Sequence, residues 1–216
     1  MSTQTILQRQ TPATPGGELS FASTLGVRRY RRAPLLWRVR NLPNRLRALP
    51  ALLVYRTLGK VFGLVYMESS LGVRQFDPDG TVIDYGIVSR RVVTTAGVNF
   101  LVDAFQNIVE IELMKFHASG TSATAEAVGD TALIAEATTI TDRATGSQTE
   151  GASANIYKTV GTQGYTGNAT IQEHGILSSV TEGAGILWDR SLTGGQAVVS
   201  GSAIEWTYSL TVTAGG

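Results

Sequence analysis

Residues 203–213 read Ala-Ile-Glu-Trp-Thr-Tyr-Ser-Leu-Thr-Val-Thr. Ile204, Trp206, Tyr208, Leu210 and Val212 alternate without a break with Glu205, Thr207, Ser209, Thr211 and Thr213. Successive side chains of a strand point to opposite faces, so this alternation predicts a strand with one dry and one wet face. Its aromatic and β-branched residues suit a pleated, half-buried surface. A lone strand cannot cover five apolar side chains. It needs neighbouring strands and a second layer, which the upstream chain must supply.

The 216 residues leave room for one medium domain with an extension, enough to bury a core without staples. Cysteine is absent, which removes disulfides and thiolate metal sites. His117 and His174 are the two histidines, too few for a multi-histidine metal centre. Abundant Ser, Thr, Gly and Ala with few charges fit a turn-rich β protein better than a helical one.

A net charge of +1 conceals a division. Residues 1–75 carry twelve Lys or Arg against Glu18 and Glu68, and residues 76–216 carry six against fifteen acidic residues. A basic arm, residues 1–70, therefore precedes an acidic body, residues 71–216. Pro12, Pro15 and Gly16-Gly17 oppose regular structure near the start. Further on, Arg28, Arg29, Arg31 and Arg32 flank Tyr30, followed by Leu35, Leu36, Trp37, Arg38, Arg40, Arg45 and Arg47. Pro34, Pro43 and Pro50 limit any helix here to short pieces. These residues are candidate partner contacts. Pure phosphate binding would need the arginines alone, whereas Leu35, Leu36, Trp37 and Leu46 are apolar anchors of the kind that dock on protein. Protein docking is the preferred reading and nucleic acid the weaker alternative. The apolar run Ala51–Tyr66 is broken by Arg56 and Lys60 and is shorter than the ~20 residues of a membrane span, so no membrane partner is expected.

In the body, Asp77-Pro78-Asp79-Gly80 between two β-like runs reads as a hairpin turn. A calcium loop starting there would place its bidentate glutamate where Val88 stands. Val98, Leu101, Val102, Phe105 and Ile108 recur at helical spacing, with Thr94 or Thr95 as N-cap, so a helix near 96–107 is expected to bury that stripe as core. Residues 125–137 carry mixed signals with room for one helical turn. From Leu113 onward short alternating runs are separated by turns. Together these features predict a mainly β fold: a β-sandwich or jelly-roll-like body with one short helix behind an extended basic arm.

No chemical motif emerges. Ser119 near His117 lacks both a nucleophile elbow and an orienting acid. Glu173 and His174 are adjacent on a strand and point to opposite faces. No carboxylate pair stands out for acid–base work. The expectation is a protein that is not an enzyme and needs no cofactor.

Six segments carry a resemblance: VSRRVVTTAGVNFLVDAFQN (88–107), FHASGTSATAEAVGDTAL (116–133), QTEGASANIYKTVGT (148–162), ATIQEHGIL (169–177), GILWDRSL (185–192) and the strand Trp206–Thr213. In order and character they resemble a group of tailed-bacteriophage virion proteins. The resemblance covers roughly residues 76–216 and carries no functional residues over. It implies a β-sandwich subunit of the particle, assembled in the host cytoplasm: a capsid decoration (cement) protein whose partners are the major capsid protein and copies of itself, or alternatively a tail or fibre adaptor that binds tail proteins.

Overall fold

The computed structural model describes residues 29–46, 49–90 and 93–214. Among these residues ten strands form two sheets. β1 (Arg29–Arg32), β2 (Tyr66–Phe76), β3 (Thr81–Ser89), β6 (Thr149–Glu150), β7 (Ile156–Gly164) and β10 (Ala203–Thr213) build the larger, in the order β1-β3-β2-β10-β7-β6. β4 (Phe116–Gly120), β5 (Ala144–Thr145), β8 (Ala169–Leu177) and β9 (Leu187–Val198) build the smaller, in the order β5-β4-β8-β9. The fold is mainly β, a two-sheet sandwich with few helices.

β10 lies centrally in the larger sheet, antiparallel to β2 along its whole length and to β7 along most of it. Ile204, Trp206, Tyr208 and Leu210 are buried, while Glu205, Thr207, Ser209 and Thr211 are half-exposed. Leu71, Val73 and Val88 join Ile204 and Trp206 from the larger sheet, and Ile171 and Val198 meet them from the smaller. Full burial of side chains of this size is worth about 1.5–3 kcal/mol each. Val212 departs from the expected core: it lies beyond this cover and is exposed.

The turn Asp77–Gly80 joins β2 to β3 as an antiparallel hairpin. Gly80 takes the positive φ that a side chain would resist, and the Asp79 carboxylate accepts from the Thr81 backbone N–H at 2.8 Å. That bond holds the Asp79 carboxyl below its ordinary range.

α4 (Thr95–Phe105) starts where expected, with Thr94 Oγ1 accepting from the Gly97 N–H. Its orientation corrects the sequence reading. Val98, Val102 and Phe105 are exposed, Phe105 at 82%, and Leu101 is half-buried; Gly97 and Phe100 face inward. Close approach decides this. A Cβ on Gly97 would stand 2.7 Å from the Trp188 carbonyl oxygen, so only the glycine side of the helix can lie against β9. Gly97→Ala should therefore destabilise the protein, despite the roughly 1 kcal/mol that alanine gains over glycine in a helix. Thermal unfolding checks the sign; a higher melting temperature would refute this packing.

Residues 121–137 contain no helix. They form a loop over the outer face of the smaller sheet. Leu133 packs with Ala118, Leu177 and Leu187, and Arg190 holds the loop from below.

Candidate interaction surface

The described part of the arm, from Arg29 on, holds one strand and three helices. β1 pairs in parallel with β3 in the register Arg29↔Thr81 to Arg32↔Asp84. α1 (Leu35–Arg40), α2 (Leu42–Leu46) and α3 (Leu49–Phe62) follow. Pro34 caps α1, and Pro43 and Pro50 stand second in α2 and α3. Proline fits the first turn, where its missing N–H has no intrahelical partner, so these prolines start helices as well as end them. The larger sheet takes strands from both sides of the expected boundary at residue 70, since β1 belongs to it and β2 begins at Tyr66.

Ala33, Trp37 and Asn41 fasten the start of this layer to the sandwich. The Ala33 N–H donates to the Asp84 carbonyl at 3.0 Å. The Trp37 ring packs edge-on against Tyr85, centroids 4.7 Å apart, and its Nε1 donates to the Gly195 carbonyl at 2.9 Å. Buried Asn41 donates to the Val88 carbonyl and accepts from Asn44. Trp37, expected as a partner contact, is half-buried and packs inward on the sandwich. Its interleaving with arginines hides that orientation, because a short helix on a sheet needs only one inward side chain per turn. Gly59 lets α3 approach the Tyr66 ring, and Arg56 grips the Glu68 carboxylate with contacts of 2.8 Å. That pair is exposed and worth at most about 1 kcal/mol.

Among the described residues, the other side of the layer is exposed. Leu35 and Leu36 are exposed, Leu36 at 81%, as are Val39, Leu53, Val54, Val61 and Phe62. Arg29, Tyr30, Arg31, Arg32, Arg38 and Arg40 are exposed beside them. Arg28 and Arg47 lie outside the described residues. A groove of about 780 Å³ runs between α2, α3 and β3. Leu46, Leu49, Leu52, Leu53 and Ile87 line it together with Arg45, Arg56 and Arg90. Arg45 and Arg90 make no ion pair among the described residues. An apolar surface set with arginine is the composition that carries binding energy at protein interfaces.

One group of polar residues in the body is turned inward. His117 Nδ1 lies 3.0 Å from His174 Nε2, and His117 Nε2 lies 3.1 Å from Thr159 Oγ1. Both rings are buried, and His174 packs against Trp206 at 4.7 Å. A Cβ on Gly161 would stand 2.6 Å from the His117 ring, so glycine there makes room for it. Burial lowers the His117 pKa to about 3; His174 falls well below its ordinary value through burial and the neighbouring ring. Both are therefore neutral, one ring N–H serving the other ring's lone pair. On the other face of β8, Glu173 accepts from Arg190 Nε at 2.6 Å and from the Ala135 N–H at 2.8 Å. Arg190 also bonds Asp130 at 3.0 Å and the Thr124 carbonyl at 2.9 Å. Asp189 accepts from Ser69 at 2.7 Å and Ser191 at 2.9 Å, and burial raises its pKa to about 6. At 0–1% exposure His117, His174, Glu173, Asp189 and Arg190 hold strands and loop together and present nothing to a ligand outside. Glu173 beside His174, both on a strand covered on its two faces, is the one sequence signal that could have disclosed them.

Among the described residues no three His, Asp or Glu side chains gather to hold a metal, and no helix is long and apolar enough to cross a membrane. No protein family, curated protein or solved structure matches the chain.

Proposed function

We propose that the chain is a structural subunit of a phage particle, a capsid decoration protein whose sandwich presents the α1–α3 layer to a neighbouring protein. One observation carries this reading. A layer rich in arginine and exposed leucine, valine and phenylalanine is bolted to a rigid body through Ala33, Trp37 and Asn41, and its outer side is uncovered. Surfaces of that kind are rare on a protein without a partner. Arginine and large apolar groups suit docking on an acidic protein surface.

Leu36→Glu with Phe62→Glu places charge on the layer without touching the anchors. The double variant should melt like the parent and lose at least tenfold in co-sedimentation with particles lacking the subunit. Undiminished binding would sink the docking role. Counting labelled copies fixes the location: hundreds per particle mean decoration, and a single small ring means the tail. DNA binding by the full chain that weakens steeply with salt would instead favour the nucleic-acid reading.

A further inference from the structure

The sandwich carries a second uncovered apolar face. Val98, Val102 and Phe105 form an outward row on α4, although helical spacing marks them as the residues to bury. Packing among the described residues leaves them exposed, because Gly97 and Phe100 hold the helix on β9. Asp103 flanks the row, and Glu110 and Glu112 follow the helix; none makes an ion pair among the described residues. This face is apolar and acidic.

The groove beside α3 is its chemical complement. Leu46, Leu49, Leu52 and Ile87 supply an apolar floor, and Arg45 and Arg90, without an ion pair among the described residues, supply positive charge. At about 780 Å³ it accommodates several side chains. Helix-in-groove docking uses residues spaced i, i+4 and i+7, the spacing of Val98, Val102 and Phe105. We infer that the occupant is a second copy of this chain: α4 of one copy seats in the groove of the next, with Asp103, Glu110 and Glu112 facing Arg45 and Arg90. One chain thus holds both halves of a head-to-tail contact, which closes into a ring or repeats along a surface. This contact goes beyond the docking of the outer layer and stands or falls separately.

Sedimentation of the full chain at high micromolar concentration tests it, with Phe105→Glu (helix spoiled) and Arg45→Glu/Arg90→Glu (groove spoiled). The parent should sediment as an assembly and each variant as a monomer with an unchanged melting curve. An equal mixture of the variants should form dimers, because one intact helix then meets one intact groove. A monomeric parent overturns the inference. So does an assembly that both variants leave intact, or a mixture that stays monomeric. Particle binding by the Phe105→Glu variant, whose change lies outside the α1–α3 layer, reports on the outer layer alone.

Discussion

Arg190→Met is expected to lower the melting temperature by about 10 °C. The guanidinium is 1% exposed and holds Glu173, Asp130 and the Thr124 carbonyl at once. Methionine fills much of the volume but leaves the Glu173 carboxylate buried without its cation. Breaking a buried pair from one side costs roughly 3–5 kcal/mol, and in a chain of this length each kcal/mol moves the midpoint by about 2–4 °C. The double variant Arg190→Met/Glu173→Gln should recover part of the loss, because a neutral amide needs no counter-charge and its carbonyl can still accept from the Ala135 N–H. Hydrogen exchange at Ala135 supplies a local readout, since this backbone donates to Glu173. A loss under 1 kcal/mol in the single variant would mean that the loop over β8 is held by apolar packing alone.

The second large effect is on pH. His117 and His174 bind protons more weakly folded than unfolded. Below about pH 6.5 the unfolded chain takes up two protons that the folded chain refuses, so stability falls with falling pH by up to about 2.7 kcal/mol per unit for the pair. Asp189 acts in the opposite sense. Its folded pKa of about 6 lies above the unfolded value, so its contribution is full in acid and lost as pH rises towards 6. Between pH 6 and 4 it offsets up to about 1.4 kcal/mol per unit. The net expectation is a loss of about 3 kcal/mol from pH 7 to pH 4.5, read from urea unfolding midpoints. Asp189→Asn should steepen that loss by removing the offset. A flat profile over this range would mean that the pair accepts a proton without opening the sandwich.

Much of this fold can be read from one dimension where a local pattern meets a local cause. β10 alternates because it has a neighbouring strand on each edge and the second sheet over one face. Asp77–Gly80 turns because its glycine takes the positive φ and Asp79 bonds within the turn. α4 shows the limit. Its periodicity gives the helix, but the bare Cα of Gly97 chooses the face, and the partner it approaches, Trp188, lies far away in the chain. The arm is legible as basic and apolar, yet Trp37 turns inward because Tyr85 and the Gly195 carbonyl await it on distant strands. The histidine pair was illegible for the same reason: His117 and His174 come from different strands and meet only once β4 pairs with β8.

The place of β10 bears on how the chain reaches this state. Its partners β2 and β7 are both made earlier and are not paired with each other. Until β10 is made the larger sheet cannot close, because β2 and β7 are joined only through it. Contacts this distant in sequence form slowly. The interval before β10 arrives is when the chain is most exposed to joining a neighbour wrongly, and crowding by many copies at once would lengthen the odds of correct closure. Slower synthesis ahead of β10 should lower the soluble yield, whereas a chaperone that shields strand edges should raise it.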